Sequence, residues 1–216
     1  MRFINSYTMQ ASPPVLHACA ISCTRGYHTI FDAVDVLLQA SQCLAIRGPN
    51  GAGKTSILRI LAGFLPPSSG KIYLHGHKIT PQSRGQNICY VGHQCGLKSD
   101  LTVLENVQFI CSLLGKQYFP WHDVLEVIGL SKVCSIPTRC LSAGQRRRLA
   151  LSRLWISPAK IWLIDEPFAN LDAQATELIK NHLSTHLKKG GTACITAHSH
   201  QHVPTDATEL WLSACG

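Results

Sequence analysis

The sequence predicts an α/β fold, with a parallel sheet as its core, an antiparallel β subdomain and an inserted α-helical subdomain. Three observations support this prediction: a glycine-rich loop between a strand and a helix, a buried-strand run ending in two acids, and helical apolar spacing between residues 101 and 155. The chain has 216 residues, of which 45% are hydrophobic and 15% charged. This composition is typical of a globular protein with a core and argues against disorder.

The first part of the chain alternates short apolar runs with turn residues. Residues 1–14 are expected to form a flexible leader ending at Pro13-Pro14, with Met9 as an alternative start. Alternation between turn residues predicts strands at Val15–Cys23, Thr29–Phe31, Val34–Leu38, Cys43–Arg47, Lys71–Leu74 and Ile88–Val91. Helical spacing of apolar residues, closed by Gly63, predicts a helix over Thr55–Leu61.

The second part changes from helical to α/β character. Apolar residues from about Leu101 to Trp155 follow helical spacing, and the α/β pattern returns with Ile161–Ile164 (strand), Ala173–Leu187 (helix) and Thr192–Thr196 (strand). We therefore expect a single domain in which residues 15–93 and 142–216 form the core and its β subdomain. Residues 95–141 are expected to form the helical insertion.

Composition excludes several other classes of protein. No apolar run approaches the roughly 18–20 residues of a membrane-spanning helix, and polar residues interrupt any signal-peptide pattern, so a cytoplasmic location is expected. The ten cysteines are scattered without a CxxC pair, which favours small buried hydrophobes over a zinc site or a disulfide framework. The net charge of +8 is compatible with nucleic acid, with an anionic membrane surface, or with solubility alone.

The glycine-rich loop fits the pattern G-x-x-x-x-G-K-[ST] in full and lies between a predicted strand and a predicted helix, the context that identifies a P-loop. Glycines let backbone N–H groups curl around phosphate oxygens, and the helix dipole adds to the attraction. Lys54 is expected to reach the β- and γ-phosphates and assist catalysis, while Thr55 offers its hydroxyl to Mg²⁺. The loop residues predicted to bind the nucleotide are Gly48, Pro49, Asn50, Gly51, Ala52, Gly53, Lys54, Thr55 and Ser56.

Two acids follow the apolar run Ile161–Ile164, at the carboxyl end of a predicted buried strand, where ligands bind in open α/β sheets. Asp165 is predicted to support Mg²⁺ through Thr55 or a water, and Glu166 to polarise the attacking water as general base. Taken alone, the pair is equally well explained as a strand exit before Pro167, but the P-loop upstream favours the catalytic interpretation. The sequence therefore predicts a P-loop NTPase with a RecA-like core, using ATP and Mg²⁺.

Further segments resemble the ABC-type nucleotide-binding domains, with matching order and spacing from about Val15 to His198. Leu141–Gln145 is similar to the family signature LSGGQ, with Ala143 in place of the first glycine. Ala169–Asp172 resembles the D-loop, and Gln94 and His198 stand where the family has its Q-loop glutamine and its switch histidine.

The resemblance implies that ATP is bound between two copies of the chain. The residues that would meet the nucleotide held by the partner copy are Ser142, Gly144, Gln145 and Asp172. Gln94 would contact Mg²⁺ and the γ-phosphate, and His198 would act with Glu166 on the γ-phosphate or the attacking water. The family usually stacks adenine on an aromatic residue upstream of the P-loop, and here Arg25 and Tyr27 are both candidates.

The segment from Gly92 to Asn106 resembles one branch of the family in particular. Its pattern G-H-Q-x-G-[IL]-K-x-x-L-T-x-x-E-N is similar to the ATP-binding subunits of the cytochrome c maturation system. This resemblance implies an integral membrane partner, a position on the cytoplasmic face of the bacterial inner membrane, and ATP hydrolysis coupled to haem export or haem-chaperone release. No haem is expected on this subunit, and His93 is assigned a surface or nucleotide-proximal position.

Other functions fit the same motifs. An ABC transporter ATPase with another cargo is the strongest alternative, because the membrane partner selects the cargo. A soluble ABC ATPase acting on ribosomes or nucleic acid would suit the basic charge, but such proteins generally carry two nucleotide domains and no second P-loop is present. A regulatory domain without activity is disfavoured by Lys54, Asp165, Glu166 and His198. Arg146–Arg148 are interpreted as ordinary basic residues on the first turns of a helix, so no nucleic-acid partner is expected.

Overall fold

The computed structural model describes residues 14–93, 95–116, 119–197 and 203–213, which form two sheets and the helices around them. A four-stranded antiparallel sheet has the order β2-β1-β4-β5, made of β1 (Leu16–Arg25), β2 (His28–Leu38), β4 (Ser69–Leu74) and β5 (His77–Lys78). A five-stranded parallel sheet has the order β6-β7-β8-β3-β9, made of β3 (Cys43–Arg47), β6 (Ile88–Val91), β7 (Ile161–Ile164), β8 (Thr192–Thr196) and β9 (Thr208–Trp211).

The helices are α1 (Lys54–Ala62), α2 (Pro81–Asn87), α3 (Val103–Leu113), α4 (Trp121–Val127), α5 (Ala143–Leu151), α6 (Arg153–Ile156) and α7 (Ala173–Lys188). Between residues 95 and 141, the described chain forms α3, α4 and two short 3-10 turns at Ser131–Val133 and Thr138–Cys140. Capping boxes begin α3 at Thr102 and α5 at Ser142, where the hydroxyl accepts an otherwise unpaired backbone N–H of the first turn. None of the helices within the described ranges is both long and apolar enough to cross a membrane.

The core lies on both faces of the parallel sheet, as its continuous apolar strands require. Successive side chains of β7 alternate between the two faces: Ile161 and Leu163 pack with α1 and the antiparallel sheet, while Trp162 and Ile164 pack with α6 and α7. A third cluster is formed by α3 and α4 together with Leu149 of α5 and Ile156 of α6, so the helical segment has a small core where it meets these helices. The predicted parallel core, antiparallel sheet and helical segment are therefore all present.

Several predicted elements differ in detail. The two strands predicted at Thr29–Phe31 and Val34–Leu38 are one strand, β2, whose pairing with β1 is interrupted by irregular register. Ala33 at this irregularity has a φ of 49°, and its N–H donates to Ser22 Oγ at 3.0 Å. A local hydrogen bond replaces the missing ladder contact, so the turn-like residues bend the strand without ending it.

Three elements were not predicted from the sequence. Helix α2 begins with Pro81 after a capping box between Thr80 and Ser83, and its helical pattern is hidden because it buries no residue. Strand β5 is only two residues long. Strand β9 pairs with β3 at the sheet edge, and its alternation is too short to separate it from a loop.

Candidate functional site

The P-loop closes tightly against neighbouring backbone and side chains. Gly48 has a φ of 141°, and a Cβ added there would lie 2.4 Å from the backbone oxygen of Leu212. Gly53 has a φ of 94°, and a Cβ there would lie 2.7 Å from the side chains of Ile30 and Phe31. Only glycine fits both positions, for reasons of conformation and of space.

The first turn of α1 is open to a ligand. Its N-cap residue is Gly53, which offers no side chain to accept the helix N–H groups. Uncapped N–H groups at a helix N-terminus, reinforced by the helix dipole, bind anions. Together with the curled loop, they form the phosphate-binding geometry that the sequence pattern predicts.

Lys54 is held inside the loop by backbone carbonyls. The side chain is buried, and Nζ donates to the carbonyl oxygens of Gly48 at 2.7 Å and Pro49 at 2.9 Å. Burial lowers the pKa of Lys54, and the nearby carboxylates of Glu166 and Asp165 partly oppose that shift. The ammonium group therefore lies inside the loop, with these two carbonyls as its acceptors.

Thr55 and Asp165 meet across the site although they are far apart in the chain. The Thr55 hydroxyl donates to Oδ2 of Asp165 at 2.8 Å, and the Thr196 hydroxyl donates to Oδ1 at 2.7 Å. Asp165 is only 1% exposed, so this carboxylate is fixed by both hydroxyls. A hydroxyl and a carboxylate are hard oxygen ligands suited to Mg²⁺, which usually takes its remaining ligands from water and phosphates.

Glu166, the residue after Asp165, has a left-handed backbone conformation, so the chain leaves the extended course of β7 at this point. Its φ is 52°, and its backbone N–H donates to the hydroxyl of Thr196 at 2.8 Å. The carboxylate lines a cavity of about 370 Å³, whose other lining residues are Arg25, Ile30, Asn50, Gly51, Gly53, Lys54, Thr55 and Ser56. The proposed base and the phosphate-binding loop therefore face the same space.

The signature segment lies apart from this cavity. Ser142 caps α5 by accepting the Gln145 N–H at 3.1 Å, and Gln145 Oε1 accepts the Ser142 N–H at 2.9 Å. Within the described ranges, no signature residue and no part of the D-loop lines the P-loop cavity. Asp172 instead caps α7, accepting the Ala175 N–H at 2.7 Å.

The signature and the D-loop touch each other. A Cβ added to Gly144 would lie 2.7 Å from the carbonyl oxygen of Asn170, so the two segments approach at backbone distance. The adjacent Ala143 is exposed, which gives its extra methyl group room. The departure from the family signature thus falls at the roomier of the two positions.

The two adenine candidates are placed differently. Arg25 lines the P-loop cavity, and its Nη2 donates to the Ser56 hydroxyl at 3.5 Å. Tyr27 is fully exposed on the β1–β2 turn and does not line the cavity. The predicted residues Gln94 and His198 lie outside the described residues.

Two residues near Glu166 were not assigned to the site from the sequence. His93 places Nδ1 3.5 Å from a carboxylate oxygen of Glu166, in keeping with the nucleotide-proximal alternative. Arg147 was grouped with its basic neighbours, yet it is buried and reaches the backbone carbonyl of Glu166. The signal in the sequence was its spacing, since Ala150 and Leu151, three and four residues further along α5, are both buried.

Comparisons with known proteins agree with this geometry. The profile of the ABC transporter family matches residues 31–169. The cytochrome c biogenesis ATP-binding export protein CcmA of Xanthomonas campestris pv. campestris is 41% identical over 203 residues, covering 94% of this chain and 95% of that protein. The protein of the same name from Pseudomonas savastanoi pv. phaseolicola is 39% identical over 197 residues, covering 88% of this chain and 91% of that protein.

Solved structures show the same fold. The ATP-binding subunit of an ABC transporter has a TM-score of 0.81 at 19% identity, covering 93% of this chain and 88% of that one. A dimeric post-hydrolysis ATP-binding cassette bound to ADP and Pi has a TM-score of 0.79 at 22% identity, covering 92% and 96% of the two chains. The chain therefore belongs to the ABC transporter family, as one of its ATP-hydrolysing subunits, and shares nearly its whole length with the cytochrome c biogenesis ATP-binding export proteins.

Proposed function

We propose that this chain hydrolyses ATP between two copies of itself to drive a membrane exporter of the cytochrome c maturation system. The observation that carries the proposal is the convergence of Lys54, Thr55 and Glu166 around one cavity at the carboxyl end of the parallel sheet. Asp165 accepts a hydrogen bond from Thr55 behind this cavity. Supporting it, relatives about 40% identical over nearly the full chain are named cytochrome c biogenesis ATP-binding export proteins. An ABC exporter with another cargo is the alternative.

The loop and helix α1 bind the phosphates of ATP. Lys54 leaves the carbonyls of Gly48 and Pro49 and pairs with the β- and γ-phosphates, whose charge replaces two neutral acceptors. Thr55 and Asp165 are the residues that would hold Mg²⁺, which when bound neutralises charge on the β- and γ-phosphates. Arg25 lies where it can stack on the base.

Glu166 acts as general base on the attacking water. Its carboxylate faces the cavity, and the Thr196 hydroxyl and the left-handed backbone direct it there. The roles expected for Gln94 and His198 are contacts to the metal and to the γ-phosphate, as in the family pattern.

A second copy is needed to complete the site. Ser142–Gln145 are separated from the P-loop cavity of their own chain, and Ser142 already forms a cap with small residues around it. A head-to-tail dimer would bring this segment onto the γ-phosphate held by the other copy. Asp172 would approach the same nucleotide from beside Gly144.

The membrane subunit would bind where the core meets the helical segment. A cavity of about 260 Å³ opens there, lined by Arg59, Phe64, Tyr90, Gly92, His93, Cys95, Gly96 and Arg153. Phe64 is 70% exposed, and α3 exposes Phe109 and Leu113 as well. Apolar groups beside residues that follow β6 suit a surface whose shape changes with nucleotide. The subunit is proposed to work at the cytoplasmic face of the inner membrane, with haem handled by its partners and no nucleic acid bound.

Co-purification from membranes tests the function. Tagged wild type and Glu166→Gln would be isolated with and without ATP, since loss of the base should trap the closed, ATP-bound dimer. Recovery of a multi-spanning haem-maturation protein in a nucleotide-dependent manner supports the proposal. Recovery of a different permease keeps the exporter ATPase but contradicts the cargo, and recovery of ribosomes or nucleic acid without a membrane protein contradicts both.

A further inference from the structure

We propose that Arg147 is a positioning residue for ATP hydrolysis, which ties the signature helix α5 to the backbone of Asp165 and Glu166. The inference rests on the proposed role of Glu166 as general base. It assigns to Arg147 a role that its basic neighbours do not share.

The guanidinium group of Arg147 bridges the ends of two parallel strands. Nη1 donates to the carbonyl oxygen of Gly92, just after β6, at 2.9 Å. Nη2 donates to the carbonyl oxygens of Asp165 at 2.5 Å and Glu166 at 2.8 Å, just after β7. One side chain therefore joins α5 to the segment before Gln94 and to both acids of the site.

The burial of Arg147 argues that this contact is specific. The residue is 3% exposed, whereas Arg146 and Arg148 are half-buried and donate to the carbonyls of Leu141 and Ile128. Burial lowers the pKa of Arg147, which reflects the cost of removing a cation from water. Its Nε has no hydrogen-bond partner among the described residues, so Arg147 reaches the backbone carbonyls through Nη1 and Nη2. Cys95, Asp165 and Glu166 partly oppose the effect of burial on its pKa.

The arrangement of these carbonyls requires a side chain with two separate donor groups, as in a guanidinium. Glu166 adopts a left-handed backbone conformation that a non-glycine residue keeps only when its surroundings hold it. The Thr196 hydroxyl holds its N–H, and Arg147 holds its carbonyl, so the peptide groups on both sides of the Glu166 Cα are fixed. The three donors of a lysine radiate from one nitrogen, so lysine lacks the planar fork with which Arg147 reaches Gly92 from Nη1 and Glu166 from Nη2.

A coupling between sites follows. Helix α5 begins at the signature segment, which is proposed to contact the nucleotide of the partner copy. A shift of α5 on dimer closure would move the carbonyls that Arg147 holds, and with them the carboxylate of Glu166 and the chain entering Gln94. Each copy would thus align its own base only when its signature has engaged the other copy's ATP.

The test compares Arg147→Lys with Arg148→Lys, a matched change one residue along α5, in the purified ATPase with its membrane partner. We expect Arg147→Lys to lower kcat about tenfold or more, while KM for ATP and the melting temperature stay near wild type. Arg148→Lys should remain within about twofold, because a lysine can still donate to the Ile128 carbonyl. In a Glu166→Gln background, Arg147→Lys should cause no further loss, since it acts through the missing base.

Other outcomes would overturn the inference. Equal kcat for Arg147→Lys and Arg148→Lys would remove the special role of Arg147. Loss of ATP binding together with a lower melting temperature, in both Arg147→Lys and Arg147→Gln, would show a purely structural residue. If Glu166→Gln hydrolyses ATP as fast as wild type, the proposed base itself fails, and this result is distinct from a failure of Arg147 alone.

Discussion

Nδ1 of His93 lies 3.5 Å from Oε2 of Glu166, joining the residues that follow two neighbouring strands. Strands β6 and β7 are parallel and in register, with Val91 opposite Ile164. Residues just beyond their carboxyl ends therefore meet at the same sheet edge. The sheet topology thus brings a histidine next to the proposed base, although the two are separated by more than seventy positions in the printed sequence.

This contact predicts a measurable role for His93. Replacing it by alanine should lower kcat for ATP hydrolysis about threefold to tenfold, because the Glu166 carboxylate loses one partner that orients it. The effect should be modest since the His93 side chain is 61% exposed and solvent screens the contact. Steady-state ATPase assays would measure it, with His77→Ala on exposed β5 as control. Equal rates for both variants would show that His93 does not orient the base.

The Thr55 hydroxyl is expected to be required for Mg²⁺-dependent ATP hydrolysis. Thr55→Val keeps the shape but removes the group that donates to Asp165, so kcat/KM should fall about a hundredfold and more Mg²⁺ should be needed for half-maximal activity. Thr55→Ser keeps the hydroxyl and should stay within about threefold of wild type. Magnesium titrations of ATPase activity would test both. A valine variant with unchanged Mg²⁺ dependence would remove Thr55 from the metal site.

In the signature segment, glycine at position 143 should preserve stability and activity better than alanine at position 144. Ala143→Gly restores the family pattern at an exposed residue and should leave ATPase activity within about twofold. Gly144→Ala would place a Cβ 2.7 Å from the Asn170 carbonyl, so the D-loop must shift. We expect about 1–3 kcal/mol lower stability and at least a tenfold loss of activity. Urea unfolding and ATPase assays on both variants would measure this, and a stable, active Gly144→Ala would contradict the close packing.

Acid should weaken the fold through His182, which stacks on Trp155 with ring centroids 3.8 Å apart. The pKa of His182 is lowered from 6.5 to about 4, mainly by burial and to a smaller degree by the nearby His186 and Lys189, against the opposing effect of its hydrogen bond to the Leu154 carbonyl. Between these two values the unfolded chain binds a proton that the folded chain does not, so stability falls as pH falls through this window. Between pH 7.5 and pH 5, protonation of His182 is expected to lower the free energy of unfolding by about 1 kcal/mol, a value that already allows for partial solvent screening.

Urea unfolding at the two pH values would measure the effect. His182→Phe keeps a ring on Trp155 without a titrating group, so its stability should change less between pH 7.5 and pH 5 than that of wild type. His122→Phe alters an exposed histidine whose ring lies tilted against Trp121, and it serves as the control. A wild-type pH dependence in His182→Phe would exclude His182 as its source.

Much of the candidate site could be predicted because its residues occur in short sequence motifs with fixed spacing. The loop from Gly48 to Thr55 needs glycines and a lysine at fixed spacing. In a chain with such a loop, an apolar strand followed by Asp165 and Glu166 is most simply explained as part of the same nucleotide site. The parallel core followed from the same pattern, since a buried parallel strand is apolar on both faces. Strand β9 was not predicted because its four residues at a sheet edge are mostly exposed and show no clear periodicity.

By itself the sequence determined which residues carry the chemistry proposed for this protein: a phosphate-binding loop, a carboxylate proposed for the metal, a carboxylate proposed for water, and a signature segment. Tertiary structure alone decided how they are held. It separated Arg147 from Arg146 and Arg148, which look equivalent in the chain, because burial and three carbonyl acceptors depend on how α5 packs against β6 and β7. It also places Arg25, and not the exposed Tyr27, beside the P-loop. Spacing along a chain specifies local conformation, whereas desolvation and contact between distant segments exist only once the chain has folded.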